Sequence, residues 1–174
     1  MSASTFKDSR DGKIYKTVKI GSLVWMAENL NFAAEGSVCY DNDPANGDKY
    51  GRLYNWETAL KACPAGFHLP SDDEWTALVN AVGGASRAGT KLKSTEGWNE
   101  DGNGTNDFGW SALPGGNGYS DGDFDGAGYY GYWWSATEDD ADYVWNRDMY
   151  CDNEFVGRDD YYKTYLFSVR CVED

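Results

Sequence analysis

Apolar and polar residues alternate along Lys13-Ile-Tyr-Lys-Thr-Val-Lys-Ile20, the period of a strand with one face in a core, and Gly21-Ser22 then turns the chain into Leu23-Val24-Trp25-Met26. That pattern predicts a hairpin. Tyr40 to Gly51, with Asn42, Asp43, Pro44, Asn46 and Gly47, reads as turn. From Leu53 the period becomes helical, with Leu53, Trp56, Ala59 and Leu60 on one face. Cys63-Pro64 closes this helix, because the residue before a proline is pushed out of the helical region. A second helix begins where Ser71 as N-cap and Glu74 form a capping box; Trp75, Leu78, Val79 and Val82 recur at helical spacing, and Gly83-Gly84 stops it.

From Glu96 to Tyr132 the periodicity disappears. Glycine, Asn, Asp and Ser dominate there, and Trp98, Phe108, Trp110 and Leu113 are anchors in a long irregular loop of the kind usually kept for function. Strands return at Tyr132 to Ala136, Asp142 to Met149 and Phe167 to Val172, with a polar stretch between the last two. Two helices with short strands before and after them give an α+β class in which the terminal strands pair.

Composition narrows the function. The 174 residues suit one domain, and a formal charge of −14 repels nucleic acid and anionic membranes. With 8 Trp, 13 Tyr, 7 Phe and 21 Gly, the chain is too aromatic for disorder and too glycine-rich for a helical bundle. No run approaches the ~20 apolar residues of a membrane helix, and Met1 to Lys13 lacks the apolar middle of a signal peptide. Residues 1–10 read as a flexible N-terminal segment and 11–174 as the domain.

Catalysis finds few members to draw on. His68 is the sole histidine and lies in a Gly-Phe-His-Leu-Pro turn, where a structural role is expected, so a His-rich metal site has no members to draw on. Carboxylates are plentiful, but no spacing singles out a pair. Asn99, Asp101, Asn103, Thr105 and Asp107 imitate the first half of an EF-hand loop and offer oxygens to a structural Ca²⁺, although Trp110 stands where the bidentate Glu belongs. No cofactor is required by this reading. Cys39, Cys63, Cys151 and Cys171 allow three pairings, none with the close spacing of a zinc or redox motif, and two long-range disulfides are expected. Binding has the best physical case: Tyr143 to Tyr165 interleaves seven aromatics with Asp148, Asp152, Asn153, Asp159 and Asp160, and tyrosine supplies large, rigid contact area at low entropic cost.

Several motifs together resemble the Fibrobacter succinogenes major paralogous domain: Trp25-Met-Ala-Glu-Asn-Leu30, Tyr50-Gly-Arg-Leu-Tyr-Asn-Trp56, Cys63-Pro-Ala-Gly-Phe-His-Leu-Pro-Ser71, Trp134-Ser-Ala-Thr137 and Phe167-Ser-Val-Arg-Cys-Val172. The resemblance implies the formylglycine-generating-enzyme-like branch of the C-type lectin fold, with two helices, small antiparallel sheets and long loops. It also implies a disulfide from Cys63 to Cys171, leaving Cys39 for Cys151. That pairing leaves no reactive cysteines for copper, so an enzyme of the formylglycine-generating type ranks third.

The stretch 143–166 further resembles the variable region of diversity-generating retroelement proteins, in which adenine-directed mutagenesis rewrites codons. The resemblance implies a diversified, ligand-binding set of Asn146, Asp148, Tyr150, Asp152, Asn153, Phe155, Gly157, Asp159, Asp160, Tyr161, Tyr162, Thr164 and Tyr165, each reachable from an AAC codon by changing adenines. Trp145, Arg147, Val156, Arg158, Lys163 and Phe167 form the fixed frame between them. The expected activity is therefore non-enzymatic recognition of a protein or glycan target, without nucleic acid or membrane insertion, from a virus particle or cell surface. A carbohydrate-binding adhesin module without programmed diversity is the alternative.

Overall fold

A computed structural model describes residues 3–174. The alternating run forms β2 (Ile14–Ile20), whose Tyr15, Val18 and Ile20 point inward, and β2 pairs antiparallel with β3 (Leu23–Met26) as its period requires. Residues Ala3–Lys7, assigned above to the N-terminal segment, form β1 along the other edge of β2. Residues 8–10 of that segment are ordered too, since buried Asp8 takes the Arg10 guanidinium and the Asp8 N–H donates to the Lys13 carbonyl; Met1 and Ser2 lie outside the described residues.

The helical content differs from the two expected helices, because the described residues hold four. Residues read as turn are the start signals of α1 (Pro44–Tyr50): Asp43 caps it by accepting from the Ala45 N–H, and Pro44 occupies the first turn. After β4 (Ser37–Val38), a short 3₁₀ turn at Tyr40–Asn42 and α1, Leu53–Tyr54 forms β5 instead of opening the next helix. Asn55 caps the chain there, so α2 spans only Trp56–Ala62. Following β6 (Phe67–His68), α3 (Asp72–Ala81) carries the expected capping box between Ser71 and Glu74. Gly83 and Gly84, both at positive φ, end it, but the chain at once enters α4 (Ala85–Leu92). This fourth helix has no broad apolar stripe because it packs through small residues: a Cβ on Gly89 would sit 2.4 Å from the Phe155 carbonyl.

The glycine-rich segment is also more regular than its sequence suggests. It contains the hairpin β7 (Gly115–Gly118) and β8 (Phe124–Ala127). Then follow β9 (Tyr130–Glu138), β10 (Tyr143–Tyr150), β11 (Gly157–Tyr162), β12 (Phe167–Ser168) and β13 (Val172–Glu173), of which β11 lies in the stretch read as merely polar. One sheet runs β1-β2-β3-β13-β6 and the other β11-β10-β9-β12-β5-β4, so strands from the end of the chain stand inside both.

Two cores flank β9. Trp133 enters the first, where Trp25, Trp75, Trp110 and Trp133 are all fully buried with successive ring centroids 4.9, 5.7 and 5.5 Å apart. Tyr132 and Trp134, one residue to either side, point the opposite way into the second core with Tyr54, Trp56 and Phe167.

Cys63 and Cys171 are bonded, tying α2 to the strand before the chain's end. Cys39 and Cys151 are not. Cys39 is wedged between Gly47 of α1 and Arg52, whose Nη1 lies 3.3 Å from its Sγ. Cys151 backs onto Gly102 within the tryptophan core. The pairing inferred by elimination fails because the two thiols are buried among different neighbours.

Candidate functional site

The ladder β9-β10-β11 positions the region expected to bind. Directly opposed residues of antiparallel strands share a face, and β10 pairs Arg147 with Trp133 and Arg158, while Asp148 pairs with Tyr132 and Gly157. One face is scaffold. On it Met149 and Trp133 enter the tryptophan core. Arg147 and Arg158 both bond the Asp72 carboxylate at the start of α3, and the Arg158 guanidinium lies 3.4 Å over the Trp145 ring. Val156 and Phe167 are buried and Lys163 bonds Glu138, so each of the six frame residues is tied into the fold.

The opposite face carries tyrosines. Tyr132, Tyr150 and Tyr161 gather with Tyr130, Tyr165 and Phe167, with neighbouring ring centroids 4.9 to 6.3 Å apart and mostly edge-to-face. The Tyr132 and Tyr150 hydroxyls meet at 3.3 Å. Burial raises the phenol pKa of Tyr132 and Tyr150 and pushes that of Tyr161 up to about 12, which keeps these hydroxyls neutral and available as donors.

The thirteen residues of the expected binding set divide. Asp152, Phe155, Asp159, Tyr162 and Thr164 are exposed, and Tyr150, Asn153, Asp160, Tyr161 and Tyr165 are half-buried. Asn146 and Asp148, expected at the surface, are buried, because β10 is the inner strand of the ladder and their side chains point under the tyrosines. Gly157 is held as glycine: a Cβ there would stand 2.1 Å from the Asp148 carboxylate oxygen. Neither amide atom of Asn146 finds a hydrogen-bond partner among the described residues. No ion pair reaches Asp148 among the described residues; desolvation first, and the charge of Asp159 second, push its carboxyl up to about 6.

The face also includes residues that the sequence reading missed. Leu166 and Gly118 exchange both backbone hydrogen bonds, which brings the β7–β8 hairpin against the loop after β11. Between them lies a cleft of about 120 Å³ lined by Asn117, Tyr119, Asp125, Tyr132, Tyr161, Tyr165 and Phe167. A wider depression of about 690 Å³ beside it holds Asp41, Asp121, Asp123 and Asp125. An apolar groove of about 510 Å³, with Val38, Thr164 and Leu166, shares Tyr119 with both depression and cleft. The available signal for Tyr130 and Tyr132 was their two-residue spacing from Trp134; Tyr119 gave none, since only folding brings its loop to Tyr165.

Residues 99–107 serve the loop itself. The Asn103 side-chain oxygen accepts from the Trp98 N–H, the Thr105 hydroxyl donates to the Thr90 carbonyl, and Asn99, Asp101 and Asp107 face solvent. No cluster of three or more His, Cys, Asp or Glu able to hold a metal occurs among the described residues. His68 joins Glu74 and Asp174; burial alone would lower its pKa, but these two hydrogen bonds outweigh burial and raise it.

A profile of the Fibrobacter succinogenes major domain matches residues 18–173. The chain belongs to that family. No curated protein and no solved structure matches it. Residues of the quoted motifs build the interior: Arg170 is wholly buried, its guanidinium donating to Asn29 Oδ1 and to the carbonyls of Met26, Trp110 and Ser111. Asn29 in turn accepts from the Trp133 indole. Burial depresses the Arg170 pKa to about 9, and the group stays charged at neutral pH. These motif residues build the scaffold beneath the tyrosine face.

Proposed function

We propose that the protein is a non-enzymatic recognition domain of C-type-lectin-like architecture that binds its target through the tyrosine face of β9-β10-β11 and the hairpin loop at Tyr119. The observation carrying this reading is the concave cluster of neutral tyrosines, flanked by aspartates and fixed from behind by Asp72, Arg147 and Arg158. Such a surface offers rigid aromatic contact area and hydroxyl donors, the features of a paratope. The Cys63–Cys171 bond supports an oxidising, extracellular setting.

Programmed diversity fits the exposed positions Asp152, Phe155, Asp159, Tyr162 and Thr164, whose side chains can change without disturbing the frame. Burial of Asn146 and Asp148 favours the second reading, an adhesin module without diversification. Two measurements test the proposal. The genome is searched for a near-copy of the bases encoding residues 146–165 beside a reverse transcriptase; mismatches confined to template adenines support diversification, and no such copy selects the adhesin. The purified domain is then screened on a glycan array and a displayed library of surface proteins, with Asp159→Ala/Tyr165→Ala alongside, two residues of the tyrosine face. Specific capture lost in the double variant is the expected result; capture untouched by it, or copper-dependent turnover of a peptide cysteine, overturns the reading.

A further inference from the structure

We infer that the cleft between the β7–β8 hairpin and β11 is a receptor for a compact organic cation, a primary or methylated ammonium group, carried by the target recognised at the tyrosine face. The inference rests on that recognition reading and names the chemistry it selects.

Five aromatic rings wall the cleft. Tyr119 meets Tyr165 edge-on at 5.2 Å, Tyr165 lies 5.6 Å from Tyr161, and Tyr132 stacks on Phe167 at 4.9 Å. Ring faces attract cations through their quadrupole, and several around one cation act together. The volume of about 120 Å³ suits an ammonium head with its methyl or methylene substituents and excludes a bulky aromatic group.

Two polar groups in the lining are unspent. Asn117 is only 5% exposed and borders the cleft, and among the described residues its side chain makes no hydrogen bond, so its amide oxygen can accept from an N–H or a polarised C–H of a guest. Asp125 brings a carboxylate to the mouth, and no lysine or arginine lines either the cleft or the adjoining depression with its four aspartates. With a net charge of −14 behind them, these carboxylates draw cations toward the opening and repel anions. A neutral sugar would use the rings and the amide but gain nothing from this field.

The test uses the intact domain and three probes: choline, its uncharged carbon isostere 3,3-dimethylbutan-1-ol, and an acetylated trimethyllysine amide. Ring resonances of Tyr119 and Tyr165 are followed by NMR during titration. Choline and the trimethyllysine amide should shift them, and the isostere should bind at least about ten-fold more weakly, since only the cation engages the quadrupoles. The tighter of the two cations tells whether the natural group belongs to a small molecule or to a lysine side chain. Tyr119→Ala should weaken choline about ten-fold while Tyr119→Phe, which keeps the ring face, stays within about two-fold. Asp125→Asn should weaken binding about three-fold at low salt, a difference that vanishes at ~0.5 M salt. Equal binding of choline and the isostere, or shifts confined to other parts of the domain, overturns the inference. If the cations leave the cleft unmoved while Asp159→Ala/Tyr165→Ala still abolishes target capture, recognition stands and the cation assignment alone falls.

Discussion

Asp148 shows what a single residue costs the fold. The residue is 5% exposed and makes no ion pair among the described residues, and burial with the charge of Asp159 pushes its carboxyl up to about 6 from an unfolded value of 3.8. At pH 3 the group is protonated in both states and neutral with respect to stability. Between pH ~4 and ~6 the folded chain keeps the proton that the unfolded chain has lost, so stability falls as pH rises through that window, by up to about 3 kcal/mol. Asp148→Asn removes this titration. The variant should exceed the parent by about 2–3 kcal/mol at pH 7 and match it at pH 3, measured by urea unfolding at both. Equal stabilities at pH 7 would show that Asp148 is solvated. A destabilising acid held beneath a tyrosine face fits the exchange of stability for binding seen at functional sites. The sequence could offer Asp148 as one of many aspartates, but its burial depends on β9 and β11 closing over both sides of β10.

At the scale of elements, α3 is the helix whose every signal was legible: the Ser71 cap, Glu74 at the third position, and Trp75, Leu78 and Val79 on the inner face. It also locks the ladder, since Asp72 receives both Arg147, whose side chain is 3% exposed, and Arg158, which is 44% exposed. Asp72→Ala strands a buried guanidinium and should destabilise the domain by about 3 kcal/mol, whereas Arg158→Ala, at the solvated end, should cost under about 1 kcal/mol. Thermal unfolding of the two variants side by side checks the order, and equal losses would show that Arg147 finds another partner. Other elements were illegible for physical reasons. Asp43-Pro44 starts a helix as readily as a turn, α4 packs through the small residues Ala88 and Gly89, and β11, Gly-Arg-Asp-Asp-Tyr-Tyr, shows no alternation of polar with apolar. The hairpin at Tyr119 needs Leu166 to define it, a partner far along the chain.

For the whole molecule, the bond between Cys63 and Cys171 closes a loop with a sequence separation of 108, for which the chain-entropy account gives about 4–5 kcal/mol as an upper figure. Alkylation of the unreduced, unfolded protein should label Cys39 and Cys151 alone. Reduction should add Cys63 and Cys171 and lower the midpoint of thermal unfolding. Labelling of all four before reduction, or of none, would contradict the arrangement described.

The placement of β12 and β13 has a consequence for synthesis. β12 lies between β9 and β5, β13 between β3 and β6, and Arg170 between them fills the site built by Asn29, Met26 and Trp110. A nascent chain on the ribosome therefore holds two sheets with a vacant central lane each until residues 167–173 leave the exit tunnel. Folding of this domain waits for the last strands, and a protease added to stalled chains should cut those halted before residue 167 freely and spare those extended well beyond residue 174.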